Sequence, residues 1–144
     1  LPSHHAATEF ADLPGPTGEA NRWSAYPRGR ILCLGPSAEA AFEQARQARD
    51  AGCTALAVAP GIGAEGIDGG LELDALSKLT GFDAVALWSA RDALRAARQA
   101  LAARSGPILP LITAADLRPH LVIERHLCID TTAAGGNTAL LAAE

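Results

Sequence analysis

The chain has 144 residues, of which 49% are hydrophobic and 19% charged, and its formal net charge is -4. That is enough apolar matter for one domain with a core, and too little charge for a disordered tail. No run of Lys or Arg forms a basic stripe, so nucleic-acid binding by this segment is not expected, and no apolar run approaches the ~20 residues of a membrane span.

Residues 1–29 are punctuated by Pro2, Pro14, Gly15, Pro16, Gly18, Pro27 and Gly29. Pro fixes φ and removes a donor, and Gly weakens regular structure, so this stretch reads as an extended arm or linker. Trp23 and Tyr26 are expected to anchor it on another surface. Residues 30–35 (RILCLG) read as a short buried strand. Residues 37–51 carry Ala38, Ala41, Phe42, Ala45 and Ala48 at helical spacing, with Ser37 as N-cap and Gly52 as stop. Thr54–Ala59 is a second buried strand, 71–80 a short helix ending at Gly81, and 83–87 a third strand. Ser89 with Asp92 makes a capping-box-like start, and Leu94, Ala97 and Leu101 form the inner stripe of the next helix, which Gly106 closes. Residues 107–112 (PILPLI) are a fourth strand.

Apolar strands alternating with helices indicate a parallel sheet covered on both faces. The expected fold is therefore α/β. It is a Rossmann-like parallel sheet of about four strands over 30–113, with helices on both faces. An N-terminal arm precedes it, and a tail over 114–144 follows. In that tail, 116–125 suits a helix beginning near Pro119. Segments 126–132 and 138–142 then read as extended, joined by the turn signal Ala133-Ala134-Gly135-Gly136-Asn137, which makes a C-terminal β-hairpin flap. A two-stranded ribbon is barely stable alone and needs a sheet or domain to lie on.

Cys33, Cys53 and Cys128 are odd in number and widely spaced, which argues against a disulfide framework or zinc site and fits a reducing, cytoplasmic compartment. The start, Leu1-Pro2-Ser3-His4-His5, lacks the order of a signal peptide, and the chain has no Met. An excised piece of a longer protein is the expectation. Gly61, Gly63 and Gly66 match the glycine-rich dinucleotide pattern, yet they follow the second strand, after Pro60, and Ile67-Asp68-Gly69-Gly70 is a poor helix start. An ordinary glycine-rich loop is the simpler reading. The turn Gly35-Pro36-Ser37 reads as a plain N-cap rather than an anion site. His126 and Cys128 fall two apart on one strand face, the spacing of a Cys–His pair, but Cys128 between Leu127 and Ile129 reads as a packed core thiol. Cys33 and Cys53 read as core residues too. His4, His5, His120 and His126 make no metal-ligand spacing. Catalytic, cofactor-binding and metal-binding residues are thus all expected to be absent from this segment.

Two stretches carry a family resemblance. Leu13-Pro14-Gly15-Pro16-Thr17-Gly18-Glu19-Ala20-Asn21 resembles a motif near the carboxyl end of the proline utilization A proteins. Residues 123–141, from Ile123-Glu124-Arg125-His126 to Asn137-Thr138-Ala139-Leu140-Leu141, resemble their closing motif. Ile31-Leu32-Cys33-Leu34 and Gly106-Pro107-Ile108 are similar in kind. The resemblance implies a parent enzyme that oxidises proline to glutamate. An FAD-dependent proline dehydrogenase would be coupled to an NAD-dependent L-glutamate γ-semialdehyde dehydrogenase through an internal tunnel. It implies that this segment is a non-catalytic, aldehyde-dehydrogenase-like C-terminal domain whose flap packs on the dehydrogenase domain of the same polypeptide and helps cover the tunnel. The implied contacts are Ile129, Thr131, Thr132, Ala133, Ala134, Gly135, Gly136 and Asn137. No Cys here stands in the Gly-Gln-x-Cys context of aldehyde dehydrogenase nucleophiles, and no Glu-Leu-Gly-Gly-like segment is present. A homo-oligomer through swapped flaps is a further expectation. The alternative is a small nucleotide-binding domain using the 61–66 loop or the turn at Ser37. A third reading is a thiol enzyme at Cys128.

Overall fold

The computed structural model of the chain describes residues 7–130. Contacts divide it into two compact units. One is built on Pro27–Ile123, and the other joins residues 7–26 to 124–130.

Strands β1 (Glu9–Leu13) and β2 (Glu19–Pro27) pair antiparallel, with Phe10 opposite Ser24 and Ala11 opposite Trp23. The stretch read as an extended arm is thus a hairpin. Its Pro and Gly cluster at 14–18 is the connecting loop rather than a sign of irregularity throughout. Successive side chains of a strand point to opposite faces, so Phe10 and Asp12 share one face of β1, and Arg22, Ser24 and Tyr26 one face of β2.

The other unit begins with β3 (Arg30–Cys33), and α1 (Ala38–Asp50) follows. The Ser37 side chain accepts the Ala40 N–H at 3.2 Å, so it caps α1 as expected. Gly52 stops the helix at φ +79°, a conformation side-chain-bearing residues avoid, while its N–H reaches Arg49 O at 2.9 Å. Strands β4 (Thr54–Ala59), β5 (Ile67–Asp68) and β6 (Ala84–Ala86), helix α2 (Arg91–Ala102) and strand β7 (Leu111–Ile112) complete the sheet. Its order is β5-β4-β3-β6-β7, and its four pairings are all parallel. The sheet therefore has five strands, not four. Two-residue β5 sits among glycines and carries no apolar run long enough to read as a strand.

Alternate residues of β3 and β6 feed opposite cores. Ile31, Cys33, Ala84 and Ala86 pack with Ala41, Ala45 and Ala48 of α1, and with Ala57 and Ala59 of β4. Leu32, Leu34, Val85 and Leu87 pack with Ala97 and Leu101 of α2 and with Leu76. Helical cover on both faces is what the unbroken apolar strands demand. On the α1 side, alanine meets alanine, so helix and sheet approach closely and each side chain buries little area.

Several elements differ from expectation. In place of a helix over 71–80 there is a 3₁₀ turn, Leu73–Ser77, with Leu76 fully buried. Helix α2 starts one residue late for a Ser89 cap. Ala90 occupies that position without a side-chain hydrogen bond, and Asp92 sits in the first turn, where it favours the helix dipole. The strand expected over 107–112 shrinks to β7, because Pro107 and Pro110 have no N–H to give a ladder, although Pro110 O accepts Val85 N–H at 3.0 Å. The helix expected over 116–125 is a 3₁₀ turn at Arg118–His120 followed by β8 (Val122–Asp130). Pro119 suits the short turn, and the β-branched Val122 and Ile123 suit the strand. β8 completes a second sheet of order β1-β2-β8.

Candidate functional site

The candidate site is the strand that leads into the closing motif. Its launch point is fixed by the segment before it. Leu117 and Leu121 are fully buried. The Gln47 side chain donates to Ala115 O at 3.1 Å and accepts Leu117 N–H at 2.8 Å. Trp88 Nε1 donates to Ala114 O at 2.7 Å. The Arg28 guanidinium donates to His120 O at 2.6 Å and Val122 O at 3.1 Å. Ala114 and Ala115 lie outside any helix or strand, so there side chains replace secondary structure in holding the segment.

Along β8 the side chains alternate. Arg125 lies over the Tyr26 ring at 4.4 Å from its centroid, and the Ser24 hydroxyl donates to Arg125 O at 3.5 Å. Beside them, Arg22 pairs with Asp12 at 2.8 Å and sits 5.8 Å from the Phe10 ring. That guanidinium holds the Asp12 carboxyl below its usual range, through a hydrogen bond first and charge second. Phe10, Arg22, Ser24, Tyr26, Arg125 and Leu127 contribute to one shallow groove of about 520 Å³. Phe10 is 67% exposed, Leu127 55% and Ile129 49%. Tyr26, expected to anchor an arm elsewhere, is thus held within its own sheet. The only sequence signal for this face was the strand-favouring aromatics Phe10, Trp23 and Tyr26, which the density of Pro and Gly over 1–29 masks.

Of the expected contact residues, Ile129 lies exposed on β8, and Thr131, Thr132, Ala133, Ala134, Gly135, Gly136 and Asn137 fall outside the described residues, as do His4 and His5. Cys128, expected to be packed, is exposed, because the described part of β8 beyond Ile123 is open to solvent at every residue. His126 is exposed on the same strand, and no hydrogen bond joins the two among the described residues. Cys33 and Cys53 are core residues as expected, and burial pushes the Cys33 thiol up to about 12. No group of three or more His, Cys, Asp or Glu able to hold a metal occurs among the described residues.

The two loops with glycine signals spend their donors internally. Gly61 N–H donates to Asp68 Oδ1 at 2.7 Å, and Glu65 adds a second acid to the same loop. A Cβ on Gly66 would lie 2.6 Å from Ala57 O, so that glycine serves packing. At the turn after β3, beside the point where the strand order reverses, Gly35 lets the first turn of α1 close on the strand, and a Cβ there would strike the Ala40–Ala41 backbone. Ser37 takes one amide of that turn, and Glu39 places a negative charge in it.

No protein-family model matches the chain. It is 34% identical over 143 residues to the bifunctional protein PutA of Escherichia coli K12, covering 90% of this chain and 11% of that protein. The PutA of Salmonella typhimurium is 32% identical over 154 residues, again covering 90% of this chain and 11% of that protein. The chain therefore spans about a tenth of the length of these curated relatives. Two crystal structures of mutant proline utilization A from Bradyrhizobium japonicum superpose with TM-scores of 0.61 and 0.58, at 27% and 26% identity. Each covers 73% of this chain and 13% of that one. Over most of its length, this chain is homologous to a segment of the bifunctional protein PutA.

Proposed function

We propose that the chain is a non-catalytic C-terminal module of a PutA-type enzyme that oxidises proline to glutamate. It packs on the aldehyde dehydrogenase domain of its own polypeptide and helps close the tunnel that carries the intermediate. The observation that carries this reading is the homology to a PutA segment over 90% of the chain. An aldehyde-dehydrogenase-like ancestry for the parallel sheet is part of the same proposal. FAD and NAD belong to the parent's two dehydrogenase domains, and the parent works in the cytoplasm.

The chemistry of the described residues agrees with a packing role. The Cys33 thiol at about 12 is no thiolate at neutral pH, and the turn after β3 caps itself with Ser37 instead of cradling a phosphate. By contrast, β8 carries Leu127 and Ile129 into solvent immediately before the expected contacts Thr131 to Asn137. An exposed strand with apolar side chains is suited to a facing sheet or domain, where backbone pairing gives affinity and alternate side chains give specificity. The small Ala133, Ala134, Gly135 and Gly136 would permit close backbone approach there. Exchange of this strand between copies is the expected route to any homo-oligomer.

The test uses the full parent polypeptide, intact and truncated after His126. NADH formation from proline is followed for a lag. The proposal expects a new lag, or loss of the second oxidation with the first preserved. Identical progress curves for the two proteins would overturn the tunnel-closing role.

A further inference from the structure

Arg91, Arg95 and Arg98 recur on α2 at i, i+4 and i+7, so their exposed side chains form one row along the helix. Like charges at this spacing repel and weaken a helix. Elsewhere the chain neutralises its arginines. Among the described residues, Arg22 pairs with Asp12, Arg46 with Glu43 and Asp50, and Arg118 with Asp116, whereas no residue of α2 takes part in an ion pair. A cationic row thus stands on a chain whose net charge is -4.

The row runs into a groove of about 440 Å³ between the end of α2 and the 106–111 loop, lined by Arg98, Leu101, Arg104, Ile108, Leu109 and Leu111 among others. Arg104 is spent, since its guanidinium donates to Leu76 O and Leu79 O and lies 5.3 Å from the Phe82 ring centroid. Arg98 is not tied in this way. Ile108 is 97% exposed, and Pro107 and Pro110 stiffen its loop, so a contact there orders little additional chain.

We propose that this groove and the arginine row form a docking surface for an acidic amphipathic peptide segment. Apolar side chains of that segment rest against Ile108 and Leu109, and its carboxylates line up with Arg91, Arg95 and Arg98. Charge complementarity selects the occupant. Arginine binds carboxylate bidentately, an acidic segment removes the repulsion within the row, and an apolar anchor supplies the desolvated centre that a purely ionic contact lacks. This proposal does not rest on the flap contact.

The probe is a fluorescein-labelled helical peptide of Leu and Glu, about 14 residues long so that it spans ~21 Å of row and groove. Its binding to the chain is read by fluorescence anisotropy. Saturable binding is expected, weakened about tenfold by the double change Arg95→Glu and Arg98→Glu, and weakened several-fold by raising salt from about 50 to about 300 mM. Ile108→Ser is expected to weaken binding while leaving the salt dependence unchanged. Circular dichroism with thermal melting keeps unfolding separate from loss of binding. Three results would each overturn the proposal: undiminished binding by the charge-reversed variant, equal binding of the same peptide with Lys for every Glu, or a thymidine oligonucleotide of similar charge displacing the peptide. So would a dimer in sedimentation that the same double change disperses, which would make the row a contact between copies.

Discussion

Gln44 sits on the inner face of α1 with no exposed surface, and neither its amide nitrogen nor its amide oxygen has a hydrogen-bond partner. Its neighbours along that face are Ala41, Ala45 and Ala48. A buried polar group without a partner costs about 1–3 kcal/mol relative to a paired one, while an apolar group of the same shape carries no such cost. Methionine matches glutamine in length, though it lacks the branch at Cδ, so Gln44→Met removes the unpaired donor and acceptor and fills most of the same space. The expected result is a gain of about 1–3 kcal/mol, with a rise in Tm of about 4 °C per kcal/mol for a chain of this length. Urea unfolding at constant m-value is the assay, because an altered slope would report a changed unfolded state instead. Gln44→Ala serves as the control for packing and should destabilise, since it opens a cavity beside alanines that cannot close it. A lower stability for Gln44→Met would refute the reasoning, for it would mean that the amide does make hydrogen bonds in solution.

Gly35→Ala places a methyl group against the Ala40–Ala41 backbone and should cost about 1–3 kcal/mol in urea unfolding, whereas Gly70→Ala, with nothing within 4 Å of the added carbon, should stay within about 0.5 kcal/mol. Glu43 is held down to about 2 by hydrogen bonds from Arg46 first and Gln47 second. Its folded value lies below the unfolded one, so its stabilisation is complete above the ordinary 4.5 and is lost as pH falls through about 2. Arg46→Met should therefore lower stability slightly and evenly above about pH 4.5, with the difference from the parent chain vanishing as pH falls through about 2, so that this part of the acid limb is flatter. Iodoacetamide at neutral pH should label Cys128 in the native chain and reach Cys33 and Cys53 only with denaturant, read by intact mass, and fast native labelling of all three would contradict the burial of the core thiols.

The parallel sheet was legible where side-chain pattern and chain punctuation agree. Residues 54–59 contain only Thr, Ala, Leu and Val between Gly52 and Pro60, and β4 spans the expected residues. Ser37 and Gly52 bracket α1 because capping is local chemistry that the sequence states directly. The failures share a different cause. β5 has two residues and exists because β4 already offers a ladder, a tertiary effect with no local trace, whereas β7 was expected and is only shorter than its apolar run. β1 and β2 were hidden by weighing Pro and Gly over the whole of 1–29, when the physical signal was their clustering at 14–18 between two stretches, 9–13 and 19–26, that contain neither. Cys128 was misplaced because an apolar run was assumed to be a packed one. The run Leu127-Cys128-Ile129 is solvent-facing among the described residues, and a side-chain pattern states what a strand can bury, not whether a partner is present to bury it.

That last distinction bears on the candidate site as a whole. In the central strand β3, apolar residues and cover match: Ile31 and Cys33 meet α1, and Leu32 and Leu34 meet α2 and the turn at Leu76. Beyond Ile123 they do not match, and Leu127 and Ile129 stand about half exposed on a strand whose start is secured by Gln47, Trp88 and Arg28. Three side chains spent on holding 114–122 would be wasted on a free tail, since each bond must offset the entropy of the groups it orders. They are explained if a fixed 114–122 segment leaves less entropy to lose when the exposed strand after it docks as proposed, and that is the gain expected of preorganisation. The same logic sets the order in which substitutions should act. Gln47→Ala should loosen 114–122, Leu127→Ser should remove an apolar contact, and each should weaken the coupling of the parent's two oxidations. If only the second does so, the order of 114–122 plays no part in docking.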